Sequence, residues 1–302
     1  MQKITTLTLN PAYDVHANIS RFVICRENIA ESVSRDIGGK GINISRALKE
    51  NGIENTAVII LGSDNSEDFK KALVTEGLEC KIIECRGRIR ENITVHPADS
   101  EETRLSFKGF SCDASLLSEI EKYIPEDGIV TFTGSLPGGI SADAAEKFLL
   151  CLKEKGLKLV IDSKSVTLDM LRRIKPWLIK PNAEEIEAYF GGKMCEDELY
   201  KKALELNRRG IENVMISLGG DGAILSCGGK LYRAYAPKIN VISTIGAGDS
   251  AIAGFIAADG CVEARLKNAI AYGSAACLRE GTNPPLEKDI EYIKKTVTVN
   301  AV

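Results

Sequence analysis

Near the C-terminal end of the 302-residue chain, "STIGAGDS" (243–250) sets Asp249 directly behind Gly246, Ala247 and Gly248, and a helical pattern follows at once. Backbone N–H groups at a helix start have no partner in the preceding turn, and the helix dipole adds partial positive charge there. None of the three residues before Asp249 carries a side chain large enough to cover those amides, so an anion can sit directly on them. A carboxylate beside an anion site repels it unless it serves chemistry. Proton abstraction from an attacking hydroxyl, with the amides neutralising a phosphoryl group in flight, is chemistry that needs both. A capped helix with a tight glycine entry is the plainer alternative. The spacing has no third glycine at the offset of a dinucleotide fingerprint.

Two further glycine clusters lie upstream. "DIGGKGIN" (36–43) also opens a helix. It is not a P-loop, because Gly41 follows Lys40 where Ser or Thr would be needed. Its glycines permit close approach of a ligand, and Asn43 offers a donor and an acceptor to hydroxyl groups. "SLGGDGA" (217–223) joins two strand patterns around Asp221, and by itself reads equally as a tight hairpin.

The elements that must position these clusters alternate. Strand patterns at "ITTLTL", "TAVIIL", "GIVTFTG", "LKLVID" and "WLIKPN" are separated by helical ones at "GINISRALKENG", "SEDFKKALVTEG", 141–155, from Ser165 and from Glu184. A helix over 196–209 and the strands "NVMISL", "GAILSC" and "KLYRAY" follow. Such alternation implies an α/β fold with a mostly parallel sheet covered by helices. Residues 12–36 and 88–108 break the pattern. They are extended, the second around a turn at 97–100, and no helix follows soon enough to make a βαβ unit. We expect them to form a small separate β-element over the main sheet, a lid within a single 1–302 domain.

Composition narrows the partners. The net charge is −3 with no basic run, which excludes nucleic acid as a main partner. No apolar stretch reaches membrane-spanning length, and "MQKITTLTLNPAYD" has no apolar core of a signal peptide. Nine cysteines without C-x-x-C or Cys/His zinc spacings suggest reduced, mostly buried thiols in a cytoplasmic protein.

The ordered set "TLNPAYD", "GGKGIN", "TGSLPGG", "KPNAEE", "SLGGDGA" and "STIGAGDS" resembles the PfkB (ribokinase-like) carbohydrate kinases over essentially the whole chain, and within them the phosphosugar branch. The resemblance implies a Rossmann-like main domain with a β-lid that often mediates homodimers. It implies Mg-ATP as phosphoryl donor, with K⁺ as a further candidate cofactor. It makes Asp249 the catalytic base and Gly246, Ala247 and Gly248 the anion hole. Asn182 and Glu185 match an N-x-x-E motif that organises magnesium and its waters. Lys180, Ser217, Gly219 and Gly222 fall on the nucleotide side. Asp14, Gly39, Lys40 and Asn43 fall on the sugar side, and Arg90 and Arg104, on the two later lid strands, are candidates for the substrate's existing phosphate. The implied reaction phosphorylates a ketohexose phosphate, foremost fructose 1-phosphate to the 1,6-bisphosphate, with tagatose 6-phosphate and fructose 6-phosphate as alternatives. A sensor on an inactive kinase scaffold is the remote one. Two lid residues depart from the fructose 1-phosphate pattern: Thr94 stands where a lysine is usual, and Arg104 where an acidic residue is frequent.

Overall fold

The computed structural model describes residues 2–302. Along the chain, β1 (Ile4–Thr8) is followed by β2 (Ala12–Ile19), β3 (Ser32–Gly38), α1 (Lys40–Glu50), β4 (Thr56–Gly62), α2 (Glu67–Thr75) and β5 (Cys80–Cys85). Next come β6 (Arg90–Pro97), β7 (Thr103–Ser106), α3 (Leu116–Glu121), β8 (Ile129–Thr133), α4 (Ala142–Glu154), β9 (Lys158–Asp162) and α5 (Leu168–Ile174). Then β10 (Leu178–Ile179), α6 (Ala183–Phe190), α7 (Glu196–Arg208), β11 (Asn213–Ser217), β12 (Ala223–Cys227) and β13 (Lys230–Tyr235). The chain closes with α8 (Ala247–Ala257), α9 (Val262–Ala276), α10 (Glu287–Lys294) and β14 (Thr298–Ala301).

Ten strands form one sheet in the order β14-β13-β12-β11-β10-β9-β8-β1-β4-β5. From β5 to β11 all pairings are parallel, and β12 to β14 are antiparallel additions. One face packs against α3 to α7, the other against α1, α8, α9 and α10. All five residues of β1 are buried, because the strand is an inner one, paired on both sides with β8 and β4, and helices cover both faces of the sheet. Strand order reverses at β1, and in an open α/β sheet such a reversal leaves a crevice outside the carboxyl ends of the strands. Helix α1 presses onto this point. A Cβ at Gly41 would collide with the Leu7 carbonyl oxygen, so only glycine lets the helix lie this close to β1. The Thr6 and Ser45 hydroxyls pair at 2.7 Å across the contact.

The expected lid is a separate four-stranded sheet, β3-β2-β6-β7. Its register decides what the sequence left open. Asp14 pairs with Asn92, Ala12 with Arg90, and Thr94 with Arg104. Side chains alternate across a strand, so Asp14, Arg90, Asn92, Thr94 and Arg104 share one face. Val15, Ile93, Val95 and Leu105 share the other.

Expected element ends fall within a residue or two of those observed, with two exceptions: the helix expected from Ser165 begins only at Leu168 behind its Thr167 cap, and the strand expected over "WLIKPN" ends already at Ile179, where Lys180 and Asn182 turn into the site and the α6 cap. Strands β5 and β14 and helices α3, α9 and α10 lie outside the elements expected from the sequence. The cysteine expectation needs correction in part. The thiols are free, but Cys25, Cys195 and Cys261 are exposed and the other six are half-buried. Cys195 and Cys261 sit at helix N-caps, and an N-cap lies where a helix meets solvent.

Candidate active site

The carboxyl ends of the parallel strands carry the site. Thr8, Thr133 and Asp162 end β1, β8 and β9, Lys180 follows β10, and Ser217 ends β11. Two cavities open over them. The first, about 590 Å³, lies between the lid and the sheet and is lined by Asp14, Gly39, Lys40, Asn43, Arg90, Arg104, Gly246, Gly248 and Asp249, among others. The second, about 770 Å³, lies over β11 and α8 and is lined by Lys180, Asn182, Ser217, Gly219, Gly222, Ala247 and Gly248, with an apolar wall of Pro237, Ile239, Val241 and Ile270. Gly248 and Lys180 line both, so the cavities meet there.

Asp249 is in the first turn of α8, whose N-cap Gly246 holds φ at +77°, a left-handed conformation that favours glycine. Its carboxylate is buried, and Oδ2 accepts a 2.9 Å hydrogen bond from Asn43 Nδ2. Burial pushes its pKa up to about 6; Lys40 opposes the rise, and Asp162 adds to it. A carboxyl poised there is ionised near neutrality yet basic enough to take a proton. Among the described residues, the amides of Gly246, Gly248 and Asp249 have no hydrogen-bond partner in the chain. The Ala247 amide differs from expectation. It donates back to the Thr244 carbonyl at 3.3 Å, because the entry turn closes on itself there.

Asp162 is the main site residue that sequence reading missed. It is buried, with Lys40 Nζ at 2.9 Å and Lys180 Nζ at 3.6 Å from Oδ2. Burial pushes its carboxyl up, but the two ammonium groups overcome this and hold it below the usual range. Lys40, pushed down by burial, is held above its ordinary value by Asp162 and Asp249. One carboxylate thus keeps two cations at the junction of the cavities. Its position at the end of the "LKLVID" strand was the available signal.

Asn182 and Glu185 form a reciprocal cap on α6. Asn182 Oδ1 accepts from the Glu185 amide at 2.7 Å, and Glu185 Oε2 accepts from the Asn182 amide at 3.1 Å. Asn182 reaches the second cavity, but Glu185 lines neither. It borders a separate small pocket with Asp162, Lys180 and Tyr189. Ser217, bridged to Asn182, leads into the turn Gly219–Asp221, whose last carbonyl accepts from Arg233 Nη1 at 2.8 Å.

On the lid face, Asp14 Oδ1 accepts from Asn92 Nδ2 at 2.8 Å and from Arg104 Nη2 at 3.1 Å. Both arginines therefore border the same cavity. Nine buried side-chain polar atoms in the described residues lack a partner, and five of them belong to residues lining this cavity: Thr8 Oγ1, Asn10 Oδ1, Arg90 Nε, Asn92 Oδ1 and Thr133 Oγ1. Buried polar atoms are rarely left unpaired, and their convergence marks a place for a ligand rich in hydrogen-bonding groups. Thr8 and Asn10 lie within "TLNPAYD" and Thr133 opens "TGSLPGG", so the motifs themselves were the signal for these three residues.

The pfkB family carbohydrate kinase pattern matches residues 11–289. The 1-phosphofructokinase of Haemophilus influenzae is 35% identical over 262 residues, 85% of this chain and 84% of that protein. The 1-phosphofructokinase of Bacillus subtilis is 30% identical over 302 residues, 97% and 99% of the two chains. Among solved structures, phosphofructokinase-2 of Escherichia coli with substrates and products superposes with a TM-score of 0.91 at 26% identity, covering 97% of this chain and 99% of that one. A buried carboxylate behind open helix amides, at the junction of a polar and a part-apolar cavity, is what phosphoryl transfer to a hydroxyl requires, and the chain belongs to the pfkB family of carbohydrate kinases.

Proposed function

We propose that this single-domain kinase transfers the γ-phosphoryl group of ATP to fructose 1-phosphate, giving fructose 1,6-bisphosphate. The observation that carries the reading is the set of five unpaired buried polar atoms around a cavity that Asp249 also lines. A polyol with one phosphate pairs them. Curated relatives of 30–35% identity named 1-phosphofructokinase support fructose 1-phosphate as the sugar. Fructose 6-phosphate is the second reading: phosphofructokinase-2 of Escherichia coli, 26% identical, has been solved with that sugar, and Arg104 lines the first cavity, where the fructose 1-phosphate pattern frequently has an acidic residue. Steady-state rates with fructose 1-phosphate, fructose 6-phosphate, tagatose 6-phosphate and free fructose decide between them. Equal rates with free fructose would remove the phosphosugar assignment.

In this mechanism the sugar phosphate occupies the first cavity with Asp14, Gly39, Lys40 and Asn43 around its hydroxyls and Arg90 and Arg104 at its phosphate. ATP occupies the second, with its triphosphate along Ser217, Gly219 and Gly222 toward Lys180. Asp249 removes the proton of the free hydroxyl, the hydroxyl oxygen attacks phosphorus, and ADP leaves with the bridging electron pair. The amides of Gly246 and Gly248 and the Lys180 ammonium stabilise charge on the phosphoryl oxygens.

Magnesium fits as a water-rich ion carried by the nucleotide. Among the described residues no cluster of three metal-ligating side chains exists, which suits an ion that keeps its waters and takes one or two carboxylates. Glu185 Oε1, whose nearest cation is Lys164 at 4.0 Å, and Asn182 would hold those waters. When bound, the ion neutralises phosphate charge. A potassium ion near the 243–246 turn completes the proposed cofactors; phosphofructokinase-2 of Escherichia coli has been solved with potassium.

Two predictions follow the lid. Arg90 has a buried Nε without a partner, and burial lowers its pKa, so it gains most from an anionic partner. Arg90→Ala and Arg104→Ala should each raise the KM for the phosphosugar roughly ten- to a hundredfold, the worth of a charge-assisted contact, and leave the KM for ATP within about twofold. Unchanged phosphosugar KM in both would refute the phosphate site. The opposite lid face presents Val33 and Leu105, more than half exposed, beside Val15, Ile93 and Val95. We propose homodimers through it. Leu105→Glu should yield monomers in sedimentation analysis where the wild type is dimeric.

No helix among the described residues is long and apolar enough to cross a membrane. The proposed place of action is the cytoplasm, where ATP is abundant.

A further inference from the structure

Asn43 presents an amide to Asp249, and an amide has two chemically opposite ends of the same shape. If Nδ2 faces the carboxylate, it donates to it. If Oδ1 faced it, two acceptor oxygens would meet about 3 Å apart and repel. Nothing on the substrate side fixes the choice before a substrate arrives. The side chain one helical turn on does. Arg46 is nine-tenths buried, and it has five N–H donors and no acceptor. All five are used. Nε donates to Glu76 Oε2 at 2.8 Å, and Nη2 donates to Glu76 Oε1 at 2.6 Å and to the Ile37 carbonyl at 2.9 Å. Nη1 donates to Thr282 Oγ1 at 3.3 Å and to Asn43 Oδ1 at 3.2 Å. An atom facing a guanidinium N–H must be an acceptor, so the end of Asn43 toward Arg46 is oxygen and the end toward Asp249 is nitrogen.

We infer that Arg46 is a positioning residue for phosphoryl transfer: held by Glu76, Ile37 and Thr282, it locks the Asn43 amide so that Nδ2 donates to the carboxylate of Asp249. The inference rests on the reading of Asp249 as the base. Arg46 touches neither cavity's ligand chemistry directly; its other face borders a separate pocket with Asp36, Lys49 and Glu76. Its anchors are spread over four elements around the base. Ile37 is in the lid strand β3, Glu76 ends α2, Thr282 belongs to the loop beside Gly246, and Asn43 is in α1. The guanidinium fork matters more than the charge, because a lysine ammonium cannot span Glu76 and Asn43 in one plane.

Removing the fork frees the amide to turn and takes a donor from the ionised carboxylate. The remaining charged groups facing Asp249 are Lys40, Asp162 and Lys180, none of which changes. The donor from Asn43 favours the charged form, so its loss raises the pH below which the base is protonated. Arg46→Lys keeps a cation beside Glu76 and should move the acid limb of the kcat profile up by about half to one pH unit. The KM for ATP should stay unchanged. In an Asn43→Ala background, Arg46→Lys should move the limb no further. An unmoved limb in the single variant, or an equal displacement without Asn43, overturns the proposal.

Should the lysine variant fail to fold, the wild-type enzyme decides. The Asn43 side-chain NH₂ signals in ¹⁵N spectra, assigned by their loss in Asn43→Ala, should shift as Asp249 titrates. Signals that ignore that titration overturn the locked amide. This readout needs no turnover, so it remains valid if Asp249→Asn proves active and the base itself is misassigned.

Discussion

Asp249→Asn should lose roughly 10²- to 10⁴-fold in kcat while binding ATP as the wild type does, since a positioned general base contributes about that much. The substitution is isosteric. Its amide oxygen can still accept from Asn43 Nδ2, so the geometry around the 2.9 Å contact survives. Only the ability to take a proton is lost. The same variant should be no less stable, and this second effect separates a catalytic role from a structural one. Burial raises the folded-state pKa of Asp249 from 3.8 to about 6. A raised carboxyl contributes stability that is fully present below pH 3.8 and is lost as pH rises through 6, so at pH 8 the ionised group is a burden. The burden is on the order of 3 kcal/mol at most. Asparagine removes it, and thermal unfolding at pH 8 should occur at an equal or higher temperature than in the wild type. Turnover within about threefold of wild type would show that the proton goes elsewhere. In the wild type, kcat should fall on the acid side with a limb near 6, approaching tenfold per pH unit below it, because a protonated base cannot act. A flat profile down to pH 5 would contradict that assignment.

Gly248→Val is expected to lower kcat by roughly 10²- to 10³-fold, the cost of losing a donor at a developing anion. A Cβ at position 248 would lie 3.0 Å from Lys180 Nζ and 3.5 Å from its Cε. That is tight, but it meets the end of a flexible side chain. Gly248→Ala should therefore keep activity within about tenfold, because the ammonium can give way by a few tenths of an ångström. Valine adds two methyl groups in the passage where the cavities meet. They cover the Gly248 amide and push the Lys180 ammonium from its place near Asp162, 3.6 Å away. Single-turnover rates and nucleotide binding along the series Gly, Ala, Val test this. A valine variant with wild-type turnover and unchanged ATP affinity would mean that phosphoryl transfer does not pass over this amide.

Much of this was readable along the chain because it depends on local chemistry. The alternation of strand and helix is a matter of apolar period and turn residues, and it fixed a mostly parallel sheet covered by helices. The open amides around Asp249 follow from a run of small residues at a helix start, although the entry turn closes the Ala247 amide onto the Thr244 carbonyl. The lid followed from two extended stretches without a helix behind them. What the sequence could not supply depends on pairing at a distance. The facing of Arg90 and Arg104 hung on the β6–β7 register, because the turn between the strands breaks any count of odd and even positions; the pairing of Thr94 with Arg104 settled it. Asp162 was indistinguishable from any strand-end carboxylate until Lys40 and Lys180, 122 and 18 residues away, converged on it. The Glu185 carboxylate sits behind the cap of α6 and outside both cavities because the helix turns it there. Local sequence determined which groups could do phosphoryl chemistry. Only the packing of β1, α1, α8 and the lid around one crevice decided which of them meet, since charge, burial and hydrogen-bond direction are properties of neighbours in space.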